Sequence, residues 1–120
     1  MRDDQSTNIV PVTEAELPIL ESALRALAAD LGDAYQADQE ALSQAVCGPG
    51  ARCIALVATH AERTLGAVLA APVFSTLHGG AGLYVSDLWV APDMRGKGLS
   101  RRLVAAVLRE GERHNMGLFL

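Results

Sequence analysis

Six consecutive residues, Arg95-Gly96-Lys97-Gly98-Leu99-Ser100, have the types and the spacing to hold an anion. Glycines at 96 and 98 remove side chains that would keep a phosphate away from the backbone amides, and they permit the positive φ angles that make those amides converge. Arg95 and Lys97 add positive charge. Arg101 and Arg102 follow at once, where cations oppose a helix dipole unless an anion lies between them. The segment therefore reads as a polyphosphate cradle. A tight strand-to-helix turn with solvated basic residues has the same sequence, and the glycines alone do not separate the two.

A cradle of this kind needs a strand that delivers the chain and a helix that carries it away, and both are present. Leu83-Tyr84-Val85-Ser86-Asp87-Leu88-Trp89-Val90 is the best strand in the chain and stops at Pro92. Ser100 to His114 has helical periodicity, with Leu103, Val104, Val107 and Leu108 expected to face the sheet. Upstream, Asn8 to Val12 suits a short first strand. Thr13 and Glu16 have the spacing of a capping box, and Leu17, Leu20, Leu24, Leu27 and Leu31 form one helical face that ends at Gly32. Pro18 conflicts with a helix interior, so a kink or a restart is expected there.

A weaker helix is read over Gln36 to Val46, closed by Cys47-Gly48-Pro49-Gly50. Cys53 to Ala58 and Leu65 to Phe74 form a hairpin around Ala61-Glu62-Arg63, His78 to Gly82 is a flexible connection, and Met116 to Leu120 is a last strand. The order is strand, two helices, three antiparallel strands, helix, strand. That predicts an α/β (α+β) fold in which one helix crosses back to a mixed, mostly antiparallel sheet.

At 120 residues, 50% hydrophobic and 20% charged, the chain has room for one core, so residues 1–120 are read as a single domain. A net charge of −4 gives no global basic field, which argues against nucleic acid or an anionic membrane as partner. The apolar runs fall short of a membrane span and the first eight residues lack a leader's apolar core, so a cytoplasmic location is expected. Cys47 and Cys53 lie far from His60, His78 and His114 in sequence, and no metal site is expected from them.

Taken with its flanks, the loop resembles the GNAT superfamily of N-acetyltransferases, whose signature is Arg or Gln, two residues, Gly, one residue, then Gly or Ala. Arg95 and Gly98 fit that pattern, and Ser100 fills the last small-residue slot. Leu88-Trp89-Val90-Ala91-Pro92 is similar to the family's run into the loop, and the element order is similar to its amino-terminal two-thirds. Within the superfamily, Phe74-Ser75-Thr76 and Leu83 to Leu88 look most like the diamine and thialysine acetyltransferase branch. Val85-Ser86-Asp87 stands where that branch commonly has Leu-Glu-Asp, so one carboxylate that would meet a cationic amine is absent.

The resemblance implies an enzyme that moves acetyl from acetyl coenzyme A to a primary amine of a small molecule, by direct attack in a ternary complex. Backbone groups of Leu88, Trp89 and Val90 would pair with the pantetheine arm. Arg95, Gly96, Lys97, Gly98, Leu99, Ser100 and Arg101 would hold the pyrophosphate. The amine must arrive unprotonated, which requires a proton acceptor. Asp87 is the candidate, with Ser86 positioning a water and Tyr84 lining the amine pocket; an ordinary strand-end role for Asp87 is the competing reading. Family members continue past the last strand, so the resemblance also implies a fold incomplete at its carboxyl end. An uncovered strand there would favour a homodimer. A coenzyme A-binding module without catalysis, or a fragment of such an enzyme, is the alternative function.

Overall fold

The computed structural model describes residues 7–114 and 116–119. Its centre is a five-stranded sheet of β1 (Asn8–Pro11), β2 (Ile54–His60), β3 (Arg63–Ser75), β4 (Gly80–Val90) and β5 (Gly117–Phe119), in that spatial order. The first four strands are antiparallel and β5 runs parallel to β4. Helix α3 (Leu99–Arg113) covers one face, burying Leu99, Leu103, Ala106 and Val107 against Leu56, Val68 and Leu83. Helices α1 (Leu17–Leu31) and α2 (Gln39–Val46) cover the other, where Leu17, Leu20, Leu24, Leu42 and Val46 meet Ala55, Val57 and Ala67. The result is the mixed α+β fold that the element order predicts.

Local chemistry accounts for the boundaries. Thr13 and Glu16 form the capping box around a 3-10 turn, with the Thr13 amide donating to Glu16 Oε1 at 2.8 Å. That bonding, the Thr13 hydroxyl first, holds the Glu16 carboxyl below the usual carboxylate range. Pro18 falls in the first turn of α1, where its missing N–H costs nothing, so the helix restarts instead of kinking. At the other end the Asp33 amide donates to Ala28 O (2.8 Å) and the Gly32 amide to Ala29 O (3.2 Å), the two bonds of a Schellman closure. Asp38 Oδ1 accepts from the Ala41 amide at 2.8 Å, which starts α2 at Gln39 rather than Gln36.

Three other expectations are corrected. The connection read over His78 to Gly82 is shorter, because Gly80, Ala81 and Gly82 pair with Ser75, Phe74 and Val73 and extend β4. Val104 and Leu108 do not join the core; Leu99 and Ala106 take those places, and Leu108 is 38% exposed on an open groove that Val104 also lines. Leu31, the last member of the leucine stripe, is 65% exposed and lines an open cleft instead of the core. Of the last strand, Leu120 lies outside the described residues, as does the polar stretch 1–6.

One irregularity in β4 matters for everything that follows. Val85 pairs with Ala70 and Asp87 pairs with Leu69, so Ser86 is an extra residue with no partner of its own. Strict alternation would put Asp87 on the same face as Leu83 and Val85. The bulge reverses that parity: Leu88 and Val90 now join the α3 side, and Trp89 reaches the α1–α2 core that also holds Leu69, the partner of Asp87. Ser86 itself donates to Leu69 O (3.3 Å) and to Asp87 Oδ2 (2.9 Å), fixing the bulge and the carboxylate together.

Candidate active site

Two clefts adjoin at this point of the sheet. The first, about 290 Å³, is lined by Leu88, Trp89 and Val90 from β4, by Met94 to Gly96 and Gly98 from the loop, and by Leu99 and Ser100 from α3. Leu27 of α1 closes its far side. Of the ten residues expected to hold the coenzyme, the structure brings eight to this one cleft: Leu88, Trp89, Val90, Arg95, Gly96, Gly98, Leu99 and Ser100. Lys97 lies on the same loop, exposed, and Arg101 opens onto the neighbouring groove along the outer side of α3.

The loop has the conformation a polyphosphate cradle requires. Gly96 and Gly98 have φ of +80° and +85°, and a Cβ built on either meets nothing within 4 Å, so the space beside them is open to a ligand. The helix ladder begins with the Arg102 amide on Gly98 O at 3.2 Å, which places the amides of Leu99, Ser100 and Arg101 ahead of it. Gly98, the N-cap, offers no side chain to satisfy them. These donors and the positive end of the helix dipole point the same way.

Arg95 has a further task beyond adding charge. Its Nε donates to Val90 O at 2.8 Å and one terminal nitrogen pairs with Asp30 Oδ2 of α1 at 3.0 Å, so the side chain braces the end of β4 and ties the loop to the opposite helix. Asp93 is bonded by Arg63 of β3, which holds its carboxyl below the usual range. The strand's free edge is equally relevant. Among the described residues β5 pairs with β4 only at Gly82, Leu83 and Tyr84, so beyond the bulge β4 has β3 on one edge and the cleft on the other.

The second cleft, about 330 Å³, lies between the end of α1, the segment 33–37, α2 and the sheet, and Asp87 stands in its wall. Leu27 lines both clefts, and Asp87 directly precedes the residues that line the first. Tyr35 contributes a hydroxyl that is buried without a hydrogen-bond partner among the described residues. Burial raises its phenol above the usual 10, and the carboxylates of Glu21, Asp87 and Asp38 push the same way against Arg25. Arg25 lies over the ring, 4.6 Å from its centroid, and is paired with Glu21 at 3.2 Å.

Tyr84, expected in the amine pocket, is half exposed on the far side of the bulge and lines neither cleft. Ser86 touches the site only through Asp87. Cys47 and Cys53 pack beside the α1–α2 core, with thiols pushed up by burial. Sequence reasoning missed Leu27, Leu31, Asp33 and Tyr35. The available signal was an aromatic residue in an otherwise polar and small-residue segment after a helix stop.

Known proteins share this fold. No curated protein sequence is significantly similar to the chain, but solved structures share its fold. An aminoglycoside acetyltransferase from an uncultured soil metagenomic sample, solved with sisomicin, superposes with a TM-score of 0.81 at 17% identity, over 98% of this chain and 78% of that one. A ribosomal-protein-alanine N-acetyltransferase from Brucella melitensis biovar Abortus gives 0.75 at 18%, over 95% and 77%. A predicted acetyltransferase from Clostridium acetobutylicum, solved with acetyl-CoA, gives 0.79 at 14%, over 95% and 79%. The sequence model of the acetyltransferase (GNAT) family matches residues 19–120, and the chain therefore belongs to that family.

Proposed function

We propose that the chain is an N-acetyltransferase that moves acetyl from acetyl coenzyme A to a primary amine of a small molecule. The observation that carries this reading is the junction of two clefts at the end of β4: a glycine loop with convergent amides on one side, a carboxylate-bearing cavity on the other. The first fits coenzyme A. The amides from Gly96 to Arg101 would hold the pyrophosphate, and the open edge of Leu88 to Val90 would pair with the pantetheine arm. The second cleft takes the acceptor.

The residues present supply what amine attack demands. The acceptor enters as an ammonium ion and gives one proton to Asp87, directly or through a water held by Ser86. Its freed lone pair attacks the thioester carbon; the carbon–sulfur bond breaks, and the second amine proton ends on the departing sulfur. Negative charge building on the thioester oxygen is met by a β4 amide near Trp89, a fixed donor that needs no rearrangement. No residue of this chain is acylated along the way.

The diamine branch rests on the sequence resemblance alone, and the solved relatives do not single it out. A homodimer in the cytoplasm completes the proposal: among the described residues β5 stands at one edge of the sheet, and an edge of that kind invites pairing. Calorimetric titration with acetyl coenzyme A tests the first cleft, and acetyl release over an amine panel tests the transfer. Binding without transfer would make the chain a coenzyme A-binding module; no binding would end the proposal. Sedimentation at micromolar concentration reads the dimer, and a monomer there removes it.

A further inference from the structure

We infer that the second cleft selects a primary amine carried on one compact apolar body, with at most one charge beyond the reacting ammonium. This rests on the proposed transferase reading and adds the class of acceptor to it. The walls of the cleft are the argument. Leu24, Leu27, Leu31, Leu42 and Leu69 line it with three alanines, Tyr35 and Gln36, and its surface is mostly apolar. Its charged residues are Asp33 and Asp87, and no lysine or arginine lines it. A cation is welcome at the carboxylates and nowhere else.

The leucine stripe of α1 shows how the cavity comes about. Leu17, Leu20 and Leu24 are buried beneath the helix, but Leu31 leaves 65% of its surface in solvent at the cleft. An apolar body in the cleft would cover that leucine, and burial of apolar area favours it. A polycation gains little of this. A second ammonium has only Asp33 to meet it, and any beyond that would lose its water against leucine without a partner to replace it. The volume points the same way, since 330 Å³ is at the small end of ligand cavities, which run from about 300 to 1,000 Å³.

Tyr35 supplies the orientation. Its hydroxyl is the one buried side-chain polar atom of the cleft without a bond among the described residues, and Asp87 is close enough to bear on its titration. An ammonium held at Asp87 has N–H groups to share, and the phenol oxygen can accept one. Arg25, 4.6 Å from the ring centroid, opposes this in part, and its pairing with Glu21 offsets that charge.

The test compares kcat/KM for acetyl transfer to 2-phenylethylamine and hexylamine with that for spermidine and sisomicin, with calorimetric coenzyme A binding in parallel. At least tenfold preference for the first pair is expected. Leu31→Lys should lower kcat/KM for 2-phenylethylamine at least tenfold, and Leu31→Met should keep it; both should bind coenzyme A as the unaltered chain does, because Leu31 does not line the first cleft. Preference for spermidine or sisomicin with intact coenzyme binding overturns the inference and leaves the transferase reading standing. If coenzyme A does not bind, the transferase reading falls, and NMR decides the inference separately. Saturable shifts of the Ala34, Leu42 and Leu69 amides on adding 2-phenylethylamine would uphold an apolar amine site, and their absence would overturn it.

Discussion

The two clefts share Leu27 and a strand, yet they are built from different materials. The proposed coenzyme side is made of backbone: amides ahead of a helix ladder, two glycines at positive φ, and a strand edge left open beyond a bulge. The proposed acceptor side is made of side chains that come from α1, the segment after it, α2, β3 and β4. Backbone chemistry is the same whatever the neighbours, so it tolerates drift elsewhere in the chain. Side-chain chemistry changes with every substitution, which is how one family can keep a donor and exchange its acceptors.

The strongest way to break this comparison is to put a side chain into the backbone cradle. Gly98→Val places branched carbon where a Cβ now meets open space, and forces an L residue to φ +85°. Two phosphate hydrogen bonds lost, at roughly 1.5–3 kcal/mol each, amount to about 10²–10⁴-fold in coenzyme A affinity. The strain costs the fold about 1–2 kcal/mol, seen as a lower melting temperature in a chain that remains folded. Calorimetry showing unchanged affinity would return the loop to an ordinary turn. Asp87→Asn is the next largest change and acts on the other side. It should lower kcat about 10²-fold, the lower end for loss of a general base, with coenzyme A affinity within about twofold. Equal losses in both would mean that the carboxylate holds the strand together and takes no proton.

How far each cleft was legible follows from the same difference. Arg95, Gly98 and Ser100 point to a cradle because, with the flanks Leu88 to Pro92, they carry the family's pattern, and eight of the ten residues expected there line one cleft. The order of elements was legible too, since leucine periodicity, the Thr13–Glu16 box and the Pro92 stop are local signals. The bulge was not. Nothing in Val85-Ser86-Asp87 shows that Ser86 lacks a partner, because that depends on Leu69 and Ala70 of another strand. Without the bulge the face of Asp87 is misread, and Tyr84, two residues before Ser86, looks like a neighbour of the site. Tyr35 was hidden for a similar reason: its place depends on a helix stop that turns 33–37 back over the sheet.

Tyr35→Phe sharpens the contrast within the acceptor cleft. The buried hydroxyl has no bond among the described residues, so its removal should leave stability unchanged or raise it by up to about 1 kcal/mol. Acceptor KM should rise about two- to tenfold if the oxygen receives the ammonium, with coenzyme A binding unaffected. The phenol also gives a spectroscopic handle. Burial raises its pKa above 10, so between the unfolded and the folded value the native state holds a proton the unfolded state has lost. This contribution to stability is complete below pH 10 and falls as pH rises through that window. The phenylalanine variant should lose that part of the alkaline decline, and a bound ammonium should lower the phenol's pKa in the unaltered chain. A titration that ignores the amine would place it away from Tyr35.

The smallest expected effect concerns the pair that joins the two sides. Arg95 of the loop meets Asp30 of α1 at 3.0 Å, with side chains 50% and 49% exposed, so water screens them and the pair contributes roughly 0.2–1 kcal/mol to stability. Its interest is positional, since Asp30 lies one residue before Leu31 and Arg95 lines the coenzyme cleft. Asp30→Asn weakens the link without disturbing the Arg95 bond to Val90 O. A double-mutant cycle with Arg95→Met, read by denaturant unfolding, should give a coupling of that size that shrinks at high salt. The same cycle read on acceptor KM tests whether the loop and α1 move as one. Coupling in KM larger than in stability would show that coenzyme binding and the width of the acceptor cleft are linked through this pair. Coupling in neither would mean that the clefts are independent, each held by its own elements.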